Sequence, residues 1–175
     1  MSGAEQEDAP KWTLGTRIIP NQIARAQWRT TLTYRLHPRL MVGIEYNPLA
    51  SRVSPLANVI ALTETRNRPA IIAGTSSDRI GTPHGQSFYA TLSKNLQDWT
   101  RLPLDAWAGA SYGTYDDELR PIAGVNVRWN QRWTTTGLFD GRRGHALMTY
   151  SLGRHEVGLV LDRGWNPGLT YSLTF

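Results

Sequence analysis

Apolar and polar residues alternate one by one along most of the chain, the two-residue period of strands that face different surroundings on their two sides. In "WRTTLTYRLH" (28–37), Trp28, Leu32, Tyr34 and Leu36 share one face, while Arg29, Thr31, Thr33, Arg35 and His37 share the other. The runs 39–47, 123–129, 145–153, 155–162 and 169–175 alternate as cleanly. Less regular strands are expected at about 11–19, 58–66, 69–75, 87–95, 104–114 and 133–139. Helical periodicity is nearly absent, and "SKNLQDWTRLPL" is the best candidate for a helical turn. The pattern predicts about twelve strands. Ten is the alternative, because in 58–66 either Val59 and Ala61 or Ile60 and Leu62 can form the apolar face.

The connections carry a second pattern. "HPR" and "RNRP" are tight, whereas "NPLASRVSPLA" (47–57) and "SSDRIGTPHGQ" (76–86) are long, so odd connections read as longer than even ones. "NLQDWTRLP" departs from that parity. Short turns on one side and longer loops on the other are what an up-and-down barrel across an outer membrane shows. The chain also ends on an aromatic residue in phase with its last strand: Leu169, Tyr171, Leu173 and Phe175, with Thr170, Ser172 and Thr174 between. Terminal residues are usually polar and frayed. A membrane barrel instead pairs its last strand with its first, so that no backbone group is left unpaired in lipid.

These four residues and the alternating loops resemble bacterial outer-membrane β-barrel proteins, at the level of the class and of no particular family. The resemblance implies an all-β fold, an antiparallel up-and-down transmembrane β-barrel in a Gram-negative-type outer membrane. It implies outer-membrane lipid as surroundings, and a C-terminal strand read by the barrel assembly machinery. An even strand number places both termini in the periplasm. A soluble lipocalin-like barrel is the competing fold, but it calls for eight strands and an apolar interior.

Composition narrows the partners. The 175 residues suit one domain, read as a barrel over 11–175 behind an acidic, disordered tail over 1–10, a candidate join to a periplasmic or envelope partner. The start carries no basic n-region or apolar h-region and is not a signal peptide, so an exported chain has had its signal removed. Seven Trp and seven Tyr stand against three Phe, and Trp and Tyr are the residues of membrane–water interfaces. The net charge of +5 is scattered rather than clustered, which argues against nucleic acid and fits basic loops facing anionic lipid. With no cysteine and no His/Asp/Glu grouping at ligand spacing, neither a metal nor another cofactor is expected.

If the alternation holds, the lumen is lined by Arg29, Arg35, Glu45, Asn126, Arg128, His145 and Glu156, with Asn47, Thr149 and Ser151 beside them. Mixed charge on an inner wall either tunes a water-filled pore or ties a narrow barrel shut. The favoured expectation is a small passive pore for polar or anionic solutes, and the alternative is a closed structural or anchoring barrel. An outer-membrane lipid-modifying enzyme is a further alternative and is not favoured. His145 and Ser151 lie six residues apart on one strand, about 20 Å at 3.3 Å per residue, too far for a nucleophile–base pair. His84 with Ser76, Ser77 and Asp78 reads more simply as a structured loop. "GTSSDRIG" lacks the Lys-Ser/Thr of a phosphate loop, and Asp116, Asp117 and Glu118 read as a solvated turn.

Overall fold

The structure is a computed structural model that describes residues 10–175; nearly all of the expected acidic tail lies outside the described residues. The strands are β1 (Trp12–Ile18), β2 (Trp28–His37), β3 (Leu40–Asn47), β4 (Arg52–Leu62), β5 (Ala70–Ser77) and β6 (Gln86–Asn95). They continue as β7 (Leu104–Gly113), β8 (Glu118–Arg128), β9 (Trp133–Phe139), β10 (Gly144–Leu152), β11 (His155–Asp162) and β12 (Asn166–Thr174). Each pairs antiparallel with its sequence neighbours, and β1 pairs with β12 from Thr13↔Thr174 to Ile18↔Leu169. The sheet is thus a closed twelve-strand, up-and-down barrel. Beyond the last strand, Phe175 and Trp12 exchange both backbone hydrogen bonds, at 2.9 and 3.0 Å, so the terminal aromatic residue is part of the wall.

Short turns decorate two connections. Helix α1 (Ala24–Gln27) follows β1, and α2 (Gln97–Thr100) sits between β6 and β7, inside the stretch where a helical turn was expected. The third connection differs from expectation. A single 3-10 turn over Pro48–Ala50 ends at Ser51, whose φ is 47°, and β4 begins at Arg52. The two prolines and four small residues of 47–57 imitate a loop, yet Val53, Pro55 and Ala57 lie opposite Tyr46, Ile44 and Val42 on one face of the ladder. The two ends therefore differ less in loop length than the sequence suggested: 19–27 and 78–85 are long at one end, 63–69 and 96–103 at the other. A register shift between Ile60 and Leu62 resolves the ambiguous stretch. Val59 and Leu62 pair with outward Ala73 and Ile71, whereas Ile60 pairs with the buried Ile72.

Directly opposed residues share a face, so the register fixes inside and outside all round the ring. Leu14↔Leu32↔Ile44↔Pro55 and Met148↔Leu159↔Leu169↔Ile18 run along the outer surface. The outer aliphatic band lies between two rings of aromatic residues. At the end that holds the termini stand Trp12, Tyr34, Trp133, Tyr150 and Phe175; at the other stand Trp28, Tyr46, Phe88, Tyr112 and Phe139. Trp12 packs against Tyr34 with tilted rings and centroids 4.7 Å apart, and Trp133 against Tyr150 in the same way at 4.8 Å.

The interior is polar. Among the described residues five apolar side chains are buried, against thirteen polar or charged ones, and Leu92, Leu159 and Leu169 are among the large apolar residues left exposed. That reverses the soluble rule and leaves no apolar core of the lipocalin kind. Large inner side chains face small ones: a Cβ on Gly124 would lie 2.5 Å from the Trp107 ring.

Candidate functional site

The end of the barrel away from the termini holds a layered cluster of charge. Deepest is a carboxylate in a cage of arginines. Arg17 of β1 lies directly opposite Arg29 of β2. Arg29 Nε donates to Glu45 Oε2 at 2.5 Å, and Asn47 Nδ2 donates to Oε1 at 3.0 Å. Arg25, from α1, reaches down to within 4.0 Å of the same carboxylate. Glu45 is 0% exposed. Two guanidiniums therefore meet one buried carboxylate and a third, that of Arg17, stands beside Arg29, its Nε shielded from solvent with no hydrogen-bond partner.

Above this cage the connection 78–85 folds inward and is fastened there. Arg25 Nε donates to the Thr82 carbonyl (2.6 Å), and Nη2 donates to the carbonyls of Arg79 (2.5 Å) and Asp78 (3.0 Å) and to Thr82 Oγ1 (2.8 Å). Thr82 and Asp78 are buried. Asp78 in turn accepts from the backbone N–H of Arg79 at 2.8 Å and of Tyr115 at 3.1 Å, which joins the connections 78–85 and 114–117. Since a guanidinium offers five donors in one plane, a single arginine can pin a strip of carbonyls.

The rim is an ion-pair network. Asp116 accepts from Arg79 (3.1 Å) and Arg120 (2.7 Å). Partial burial opposes its charged form, but these two arginines outweigh it and hold its carboxyl below the usual aspartate range. His145 stands between two carboxylates, with Nε2 3.0 Å from Asp140 and Nδ1 2.9 Å from Asp162, the latter contact not aligned as a hydrogen bond. Asp162 also accepts from Gln22 of the first connection. Burial disfavours a charged Asp140, yet His145 and the backbone N–H groups of Arg142 and Arg143 together hold its carboxyl low.

Two adjoining cavities open among these groups. One, of about 260 Å³, is bordered by Arg17, Arg29, Ser77, Asp78, Arg79 and His145. The other, of about 170 Å³, is bordered by Ser87, Tyr89, Trp107, Ser111, Arg120 and Asp140. Arg79 and Asp140 border both.

Of the residues expected on the inner wall, Arg29, Glu45, Asn47 and His145 fall in this cluster. The others stand apart from it, toward the end that holds the termini. Arg35 is opposite Met41, four residues along the ladder from the level of Glu45, which is opposite Thr31. Arg128 approaches Asp105 at 3.3 Å, Asn126 accepts from Thr136 (2.8 Å), and Glu156 accepts from Ser151 (3.2 Å). His145 and Ser151 occupy the same strand and make no common contact; each has its own partners. Leu169, Tyr171 and Leu173 pair with Ile18, Thr16 and Leu14 at the seam where the barrel closes.

Sequence reasoning missed Arg17, Arg25, Arg79, Asp140 and Asp162. Arg17 had a signal: in "WTLGTRI" it is in phase with Thr13 and Gly15, opposite Trp12, Leu14 and Ile18. Asp162 had one too, since it closes the run 155–162 in phase with Glu156; the other three lie in connections, where no periodicity points.

No family model and no curated protein matches the chain. Among solved structures it is similar to one described as "NanC porin structure in rhombohedral crystal form", with a TM-score of 0.48 and 12% identity, over 94% of this chain and 98% of that one.

Proposed function

We propose that the chain is an outer-membrane β-barrel that passes small polar solutes, anions in preference to cations. One observation carries this reading: the barrel is apolar outside, between two aromatic rings, and polar and arginine-rich inside. A surface of that kind is stable in lipid, and a closed sheet leaves no backbone group unpaired there. The termini then lie in the periplasm, the arginine-rich end faces outward, and the strand ending at Phe175 is the one the assembly machinery engages. Arg17, Arg29 and Arg79 border one cavity together and give the path its preference for anions.

The test is single-channel conductance of protein folded in a planar bilayer, after heat-modifiable migration on a gel has established folding. Discrete steps are expected, with a reversal potential in a salt gradient that favours the anion. Arg17→Ala and Arg29→Ala should each shift that potential toward neutrality. A folded, inserted protein without steps would sink the pore.

A closed scaffold is the second reading, favoured by the four hydrogen bonds with which Arg25 holds the connection 78–85 inside the barrel. It predicts silence from the unsubstituted protein and from Arg25→Ala alike.

A further inference from the structure

Three guanidiniums from three different connections converge on the tip of the inward-folded connection, at Gly81. The Cβ position of this glycine lies 3.4 Å from Arg143 Nη1, 3.7 Å from Arg79 Nη1 and 3.8 Å from Arg163 Nη2. No two of those nitrogens can therefore be more than about 7.5 Å apart, a span that one tetrahedral oxyanion with its hydrogen bonds of about 2.8 Å can bridge. We infer that this ring of Arg79, Arg143 and Arg163 around Gly81 is a binding site for a phosphate-type oxyanion.

The charges around the ring support the assignment. Arg79 turns its Nε and Nη2 to Asp116, and Arg163 turns its Nε toward Asp162 at 3.5 Å; the edges that face Gly81 meet no carboxylate among the described residues, Arg79 Nη1 donating there to the Ile80 carbonyl at 3.4 Å. Both carboxylates are shared, Asp116 with Arg120 and Asp162 with His145. The guanidinium of Arg143 has no carboxylate within ion-pair distance among the described residues; it is the backbone N–H of Arg143 that Asp140 holds. The point of convergence thus carries net positive charge. Arginine is the side chain that matches phosphate geometry, two donors to two oxygens.

The backbone keeps the point open and fixed. Gly81 has φ of 95°, a conformation that side chains other than glycine's adopt at a cost, and any Cβ would stand where the three groups meet. One residue on, Thr82 is 0% exposed and held by Arg25, so the loop that carries Gly81 and Arg79 is positioned before any ligand arrives. The oxyanion is either a free solute or the phosphate of a lipid headgroup at the membrane surface; the same three donors would serve both. Binding here does not require that the barrel conduct, so the site and the pore stand or fall separately.

The experiment uses the full chain folded in a phosphate-free, non-ionic detergent at low salt. Inorganic phosphate is titrated calorimetrically. In parallel, mixed micelles carrying a phosphorylated glycolipid, or the same lipid without its phosphates, are tested for retention. We expect saturable binding that the double variant Arg143→Ala/Arg163→Ala weakens about tenfold or more, in line with losing two charge-assisted hydrogen bonds. Arg143→Lys should fall between, and Arg154→Ala, at the far end, should bind as the unsubstituted chain does. Free phosphate bound with equal retention of both lipids identifies a solute site; retention of the phosphorylated lipid alone identifies a headgroup site. Should the double variant fail to fold, phosphate must still slow phenylglyoxal modification of Arg143 and Arg163 in the unsubstituted chain. No saturable binding of either probe, equal binding by the double variant, or no protection by phosphate would overturn the site.

Discussion

At the scale of single residues, the barrel turns on one carboxylate. Glu45 is sealed from solvent with Arg29 at 2.5 Å and Arg25 at 4.0 Å, and Arg17 stands beside Arg29 with an unpartnered Nε. A buried charge is tolerable only while its partner remains; removing one side of such a pair typically costs about 3–5 kcal/mol. Glu45→Gln keeps the shape and removes the charge, which leaves Arg25 and Arg29 without the carboxylate they share, next to Arg17. The expected loss is about 3 kcal/mol, read from urea unfolding of liposome-embedded protein by tryptophan fluorescence. An unchanged midpoint would show that water, not Glu45, balances these arginines. Glu45 and Arg29 were legible because each sits in a strand with strict alternation, where phase alone tells inside from outside. Arg25 was not, because its position follows from how a nine-residue connection folds back over the mouth, and no periodicity encodes that.

At the scale of elements, the mouth is held by two kinds of fastening. The first is the Arg25 latch on the connection 78–85. Arg25→Ala removes four hydrogen bonds and should free that connection without opening the wall, since no ladder bond is lost. Single-channel steps should become larger or more frequent, at a cost in stability of about 1–3 kcal/mol; steps of unchanged size and frequency would mean the connection does not obstruct the path. The second fastening is the rim carboxylates. Asp116 and Asp140 both titrate below the ordinary aspartate value in the folded protein. A carboxyl of depressed pKa contributes stability that is complete above its unfolded pKa of about 3.9 and is lost as the pH falls toward the folded value. The rim should therefore keep its amide protection from pH 7 down to about 5 and lose it only below about 4. Hydrogen exchange at 114–118 and 140–143 reads this directly, and loosening already between pH 7 and 5 would contradict it. Apart from β4 and from β8, which begins at Glu118 where 123 was expected, the strands were legible to within three residues of their observed bounds. The start of β4 was not, because proline and small residues at 48–57 carry the composition of a loop while a ladder to β3 decides their conformation. The face of 58–62 was undecidable in sequence for a related reason: a register shift after Ile60 changes the phase midway, and only the partner strand fixes where.

At the scale of the whole molecule, the question is which solvent the outer surface was selected for. Met148 lies in the middle of β10, 45% exposed, with Leu159 and Thr135 opposite it on the outer face; Leu152 lies at the end of the same strand, 60% exposed. In water an arginine at either position is nearly free of cost, and the more exposed site should tolerate it better only slightly. In a bilayer the two differ sharply, because the energy of a charge depends on depth: about 2–4 kcal/mol at the midplane and about 0–1 kcal/mol near the interface. Met148→Arg should therefore destabilise the protein in liposomes several times more than Leu152→Arg. Thr149→Arg, facing the polar interior one residue away, tests a different quantity, since it crowds a wall where Thr149 is 7% exposed; its cost should not change with bilayer thickness, whereas that of Met148→Arg should rise in thicker bilayers. Unfolding midpoints for the three variants in short- and long-chain lipid decide the matter. Equal, thickness-independent costs at Met148 and Leu152 would mean that the apolar band does not face lipid, and the membrane reading would fall with it.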